Sequence, residues 1–105
     1  ANSAALRESE RAKLLQIGEI LKNYPDRDIL ITGHTARVPG YTEKDHQRLS
    51  EQRALAVADY LLSLGSLRAI QVTTRGMGHR EPLSDNNTEA GRRQNRRVEI
   101  TILEN

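Results

Sequence analysis

Four arginines crowd into the run Arg92-Arg93-Gln94-Asn95-Arg96-Arg97. A guanidinium offers a planar fork of donors that matches carboxylate and phosphate, so the run points to anion recognition. The preference is general, since arginine outnumbers lysine thirteen to three while the formal charge is only +2. Nucleic acid is the obvious anionic polymer to weigh. Proteins that hold single strands add aromatic stacking platforms. This chain has no Phe or Trp and only Tyr24, Tyr41 and Tyr60, none of them in the arginine run. No helix-turn-helix, RRM or KH pattern is present. No nucleic-acid partner is expected.

Other combinations are weaker. Asp45, His46 and Ser50 stand close together, with Ser50 one helical turn beyond His46. A nucleophile needs an oriented base, oxyanion donors and a strained elbow, and no G-x-S-x-G stands here. Ser50 reads instead as a small polar residue inside or starting a helix, and no catalytic residue is assigned. His34, His46 and His79 lack any i, i+4 metal spacing, so neither metal nor cofactor is expected. Gly76-Met77-Gly78 follows a strand but lacks the third glycine of a dinucleotide loop.

The elements that position these residues follow from periodicity. Leu14, Ile17, Leu21 and Tyr24 recur at helical spacing, flanked by Leu6 and Ile20, until Pro25 ends the segment. Asp28 to Thr32 is a short β-rich run stopped by Gly33, and a polar loop follows from His34 to about Asp45. Ser50, Ala54, Val57, Leu61 and Leu64 form the clearest helical stripe, with Gly65 as its C-terminal stop. Ile70, Val72 and Thr74 alternate with polar neighbours as a half-buried strand. A helical turn is expected near Thr88 to Arg92, and a last strand has Val98, Ile100 and Ile102 on one face.

Strands alternating with helices predict an α+β two-layer sandwich, with both amphipathic helices on one sheet face. The 105 residues suit one domain spanning 1–105, with an aliphatic core. No cysteine is present, so disulfides and thiolate sites are excluded. No apolar run approaches the roughly 20 residues of a membrane-spanning helix, so this domain is not expected to insert into a membrane. The start at Ala1 reads as a piece of a larger precursor.

Gly33-His34-Thr35, then Leu49-Ser50-Glu51-Gln52-Arg53-Ala54 with Val57 and Tyr60-Leu61, then Gly76-Met77-Gly78 with Pro82, then Asn95-Arg96-Arg97-Val98-Glu99-Ile100 stand in a telling order. With these motifs the chain resembles the OmpA-like domain family, the group of the OmpA C-terminal domain and the peptidoglycan-associated lipoproteins, over nearly its whole length. The resemblance implies a βαβαβ-type fold with a mixed sheet. Asn2 to Leu6 look like the segment after the family's first strand, which would then be truncated here.

The resemblance also implies a non-catalytic module that grips the peptide stem of peptidoglycan at its diamino acid, in the periplasm, as part of a larger outer-membrane or envelope-associated protein. Diaminopimelate ends in an ammonium and a carboxylate. In the family, the Asp of G-H-T-D takes the ammonium and the Arg of L-S-x-x-R-A takes the carboxylate. Carried over, Arg53 grips the carboxylate and Leu49 lines the wall one turn before it. Thr35 and Ala36 occupy the G-H-T-D positions, His46 falls on the family's loop Asn, and Asn95 and Arg97 match the closing motif. For Arg97 a ligand contact and a structural ion pair are both open. Ala36 stands where the family has Asp, in a segment about two residues longer than usual. A methyl group cannot offset an ammonium, and losing a charged partner typically costs about 2–5 kcal/mol. Glu43 and Asp45 are the acids in the lengthened loop. Two expectations follow: a peptidoglycan anchor with weakened or altered binding, or a scaffold that lost the ligand and engages other envelope proteins.

Overall fold

A computed structural model describes residues 6–104. Helix α1 spans Glu8–Leu21, strand β1 Ile29–His34, helix α2 Glu43–Ser63, strand β2 Val72–Gly76, helix α3 Glu89–Asn95 and strand β3 Arg97–Ile102. Asn2 to Ala5, likened above to the segment after a first family strand, lie outside the described residues.

The sheet is mixed, in the order β2-β1-β3. β1 runs parallel to β2, from Ile29 opposite Val72 to Gly33 opposite Gly76. It runs antiparallel to β3, from Ile29 opposite Ile102 to His34 opposite Arg97. The most apolar strand is therefore central, where both its edges are paired. Alternation sends Ile29, Ile31 and Gly33 toward the helices with Val98, Ile100 and Ile102 from β3. Leu14 and Leu21 of α1, Ala54, Val57, Ala58 and Leu61 of α2, and Leu67 close the core over them. The expected two-layer α+β arrangement is the observed one: α2 lies on β1 and β2, and α1 packs against α2.

Helix α2 starts earlier than the loop-to-Asp45 expectation. Thr42 Oγ1 accepts from Asp45 N at 3.0 Å while Asp45 Oδ2 accepts from Thr42 N at 3.0 Å, a reciprocal cap that fixes the first turn. Asp45's carboxyl lies below its usual pKa because it accepts that backbone N–H. At the other end Gly65 adopts φ +72°, the left-handed stop anticipated from its position.

Ile70 departs from the sequence reading. It is 82% exposed in a 3-10 turn over Ala69–Gln71, and Gln71 is buried instead. The Gln71 amide donates to Tyr24 O and Arg27 O, both at 2.8 Å, and its Oε1 accepts from Arg68 N at 2.9 Å. The carbonyls that leave α1 need donors, and supplying them turns Gln71 inward and Ile70 out. Ile20, at 56% exposure, also stands clear of the core.

The second sheet face carries Thr32, His34, Arg75, Arg97 and Glu99. Long side chains cover it: Arg75 Nε donates to Thr32 Oγ1 at 3.1 Å, and Arg97 Nε to Glu99 Oε2 at 2.8 Å. No helix among the described residues is long and apolar enough to cross a membrane.

Candidate functional site

A groove of about 700 Å³ opens between the start of α1, the middle of α2, α3 and β3. Leu14, Ile17, Val57, Val98 and Ile100 give it an apolar floor. Arg7, Lys13, Arg53, Arg93 and Arg96 place cations around it, against two acids, Glu10 and Glu89.

Arg53 enters from α2, one turn before Val57, and is half-buried. Its pKa is lowered, first by burial and then by the positive charge of Arg96, while Glu10 pulls the other way. Arginine keeps its proton regardless. The lowered value reports a cation held near a second cation in reduced solvent. Arg96 Nη2 donates to Glu89 Oε1 at 2.7 Å, and Arg92 Nη2 lies 3.2 Å from Glu89 Oε2. The two arginines hold the Glu89 carboxyl below the usual carboxylate range.

Arg96 was not singled out from the sequence. The signal was there: Arg96 shares parity with Val98, Ile100 and Ile102, the positions that face the helices. Arg97 has the opposite parity. It borders the groove, but its guanidinium turns to the second sheet face, where it donates to Glu99, to Asn95 O at 3.4 Å and to Glu81 O at 3.0 Å. Of the two readings left open for Arg97, these contacts describe the ion pair.

Asn95 is fully buried and spends its whole amide on the loop before α3. Its Oδ1 accepts from Leu83 N at 2.7 Å and Ser84 N at 2.9 Å, and its Nδ2 donates to Ser84 O at 3.0 Å and Asn86 Oδ1 at 2.7 Å. Asn86 Oδ1 in turn accepts from Arg37 N at 3.2 Å, tying that loop to the one after β1.

Thr35, Ala36 and His46 gather around the loop after β1, and none lines the groove. All three are buried. His46 Nδ1 lies 2.8 Å from Thr42 O and Nε2 lies 3.2 Å from Val38 N. The carbonyl can only accept and the amide can only donate, so Nδ1 is the donor and Nε2 the acceptor. Its face meets His79 edge-on, with centroids 4.7 Å apart. The two histidines are brought together without forming a metal cluster: among the described residues no three His, Cys, Asp or Glu are grouped to hold an ion. Leu49 is half-buried one turn before Arg53, on the same flank of α2.

Glu43 and Asp45 sit in the first turn of α2. At 1.5 Å per residue they lie about 15 and 12 Å along the helix axis from Arg53, too far to complete a site with it. Ser50 is fully buried with its hydroxyl spent: Oγ donates to Gln47 O at 2.8 Å and accepts from Gly78 N at 2.9 Å.

His34 adds a pH dependence. It is 1% exposed, its Nε2 lies 3.4 Å from Glu99 Oε1, and Nδ1 has no partner among the described residues. Burial, then Arg97, pushes its pKa below 6.5, against the opposing pull of Glu99. The unfolded chain therefore takes up a proton before the folded one does, and stability falls as pH drops from 6.5 through the lowered folded value. Glu99, held below 4.5 chiefly by its bond from Arg97, adds a loss of the same sign at lower pH. Urea unfolding from pH 8 to 4 should show the first loss in the wild type and a flat profile above the carboxylate range in His34→Gln. An unchanged slope in that variant would assign the loss elsewhere.

A profile of the OmpA family matches residues 1–96. The chain is 36% identical over 102 residues to the probable lipoprotein YiaD of Escherichia coli, covering 97% of this chain and 45% of that one. It is 36% identical over 101 residues to the peptidoglycan-binding protein ArfA of Mycobacterium tuberculosis, covering 96% and 30%. It thus spans less than half the length of these curated relatives. The crystal structure of the peptidoglycan-associated lipoprotein from Burkholderia pseudomallei superposes with a TM-score of 0.85 at 31% identity, covering 96% of this chain and 83% of that one. A match across most of the chain, the mixed three-stranded sheet under two helices, and the ordered motifs from Gly33 to Ile100 lead to one assignment: this chain belongs to the OmpA family.

Proposed function

We propose that this domain binds the stem peptide of peptidoglycan without catalysis, and that the groove beside Arg53 is where the side-chain carboxylate of its diamino acid sits. The observation that carries the reading is the pairing of two half-buried arginines, Arg53 and Arg96, over an apolar floor. The Arg53 guanidinium in reduced solvent can hold a carboxylate with charge-assisted hydrogen bonds, Arg96 stays paired with Glu89 beside it, and the floor accepts the methylene chain of a diamino acid. Leu49 stands one turn before Arg53 on α2, outside the groove lining. Thr35, Ala36, His46, Asn95 and Arg97 act from behind it, by fixing the loops that frame the site.

The names of the relatives support the same reading, since one is a peptidoglycan-binding protein and another a peptidoglycan-associated lipoprotein. Because the relatives are much longer, we place the domain in the periplasm as one part of an envelope protein. Ser50 and His46, the best nucleophile and base by sequence, are engaged with other partners, which favours a binding module over an enzyme.

The test is co-sedimentation with purified sacculi. The wild-type domain should pellet with them, and unlabelled muropeptide should release it. No pelleting at high protein concentration overturns the reading. It would favour the scaffold alternative, which Ala36 at the family's Asp position supports.

A further inference from the structure

The groove contains an acid that the motif comparison does not supply. The diaminopimelate side chain ends with its ammonium and carboxylate on one carbon. Whatever takes the ammonium must therefore stand in the same groove as the arginine that takes the carboxylate. Ala36 is buried and outside it, and Glu43 and Asp45 are about 15 and 12 Å away along α2. Two carboxylates remain, Glu10 and Glu89.

Glu89 is already occupied. It bridges Arg96 at 2.7 Å and Arg92 at 3.2 Å, so an incoming ammonium would have to break existing ion pairs. Glu10 is not so held. Its one hydrogen bond among the described residues is a long 3.4 Å contact from Arg7 N. Its place on α1 also suits the task. Glu10, Leu14 and Ile17 recur at i, i+4 and i+7, so the carboxylate projects from the helix face that forms the groove wall.

Resting on the proposed function above, we infer that Glu10 is the specificity-determining acid of this domain, receiving the ammonium of the diamino acid whose carboxylate Arg53 holds. On this reading the acid of the pair stands in the first turn of α1, not in the loop after β1. The attraction that Glu10 already exerts on the Arg53 guanidinium is consistent with the two charges standing as neighbours across the groove.

Calorimetric titration with two probes tests this. One is the tripeptide ending in meso-diaminopimelate, and the other is the same tripeptide acetylated on its side-chain amine. The wild type should prefer the free amine. Glu10→Gln keeps the shape and removes the charge, so it should lose roughly 10- to 100-fold affinity for the free-amine peptide. It should bind the acetylated peptide as the wild type does, which also shows that the variant is folded. Glu89→Gln should keep the preference for the free amine. If Glu10→Gln retains wild-type preference, or Glu89→Gln loses it, the assignment of Glu10 is overturned while peptidoglycan binding stands. If the wild type binds neither peptide nor sacculi, the underlying reading has failed instead.

Discussion

Arg53→Ala is expected to abolish retention on sacculi. Truncating one partner of a desolvated charge pair typically costs about 2–5 kcal/mol, roughly 30- to several-thousand-fold in affinity. Arg53 sits beside Arg96 in reduced solvent, so on the proposed reading its loss removes the cation that holds the carboxylate. Arg53→Lys should fail nearly as badly, because a point charge cannot reproduce the bidentate grip. Arg53 is outside the hydrophobic core, so a circular-dichroism melt near that of the wild type is the control for folding. Wild-type pelleting by Arg53→Ala would remove Arg53 from the site.

Gly33→Ala should strongly destabilise the domain. A methyl at this position would collide with the Ser50 carbonyl oxygen and lie 2.9 Å from its carbon and 3.2 Å from Ala54 N. All three are backbone atoms of α2, which cannot rotate away as a side chain would. β1 and α2 would have to separate, opening the core between Ile31 and Ala54. Overpacking commonly costs about 1–3 kcal/mol and sometimes more. With no flexible neighbour to yield, about 3 kcal/mol or more is expected, which lowers Tm by at least roughly 12 °C in a domain of this size. A shift within about 2 °C would mean that α2 does not rest on β1 as closely as described.

Much of this architecture was legible in the chain. The stripe from Ser50 to Leu61 made α2 unambiguous, and Ile29 and Ile31 with their turn signals marked the central strand. The family followed from motifs held at the right spacing, and with it Arg53. Ile70 was misread because alternation alone cannot reveal that the carbonyls after α1 need the Gln71 amide. The His46–His79 contact was invisible for a related reason: nothing in the spacing of two loop residues says that their rings meet.

The sequence by itself determined the order of elements, the buried faces of α2, β1 and β3, and Arg53 as a candidate for the site. Only the tertiary structure decided which charges join it. Periodicity tells which residues share a face of one helix or strand, because local geometry sets that. It does not say which face of another element lies opposite, because that depends on how the helices settle on the sheet. Strand parity turned Arg96 to the groove and Arg97 away. The packing of α1 against α2 brought Glu10 into the groove with Arg53, while Glu43 and Asp45 stayed at the far end of their own helix.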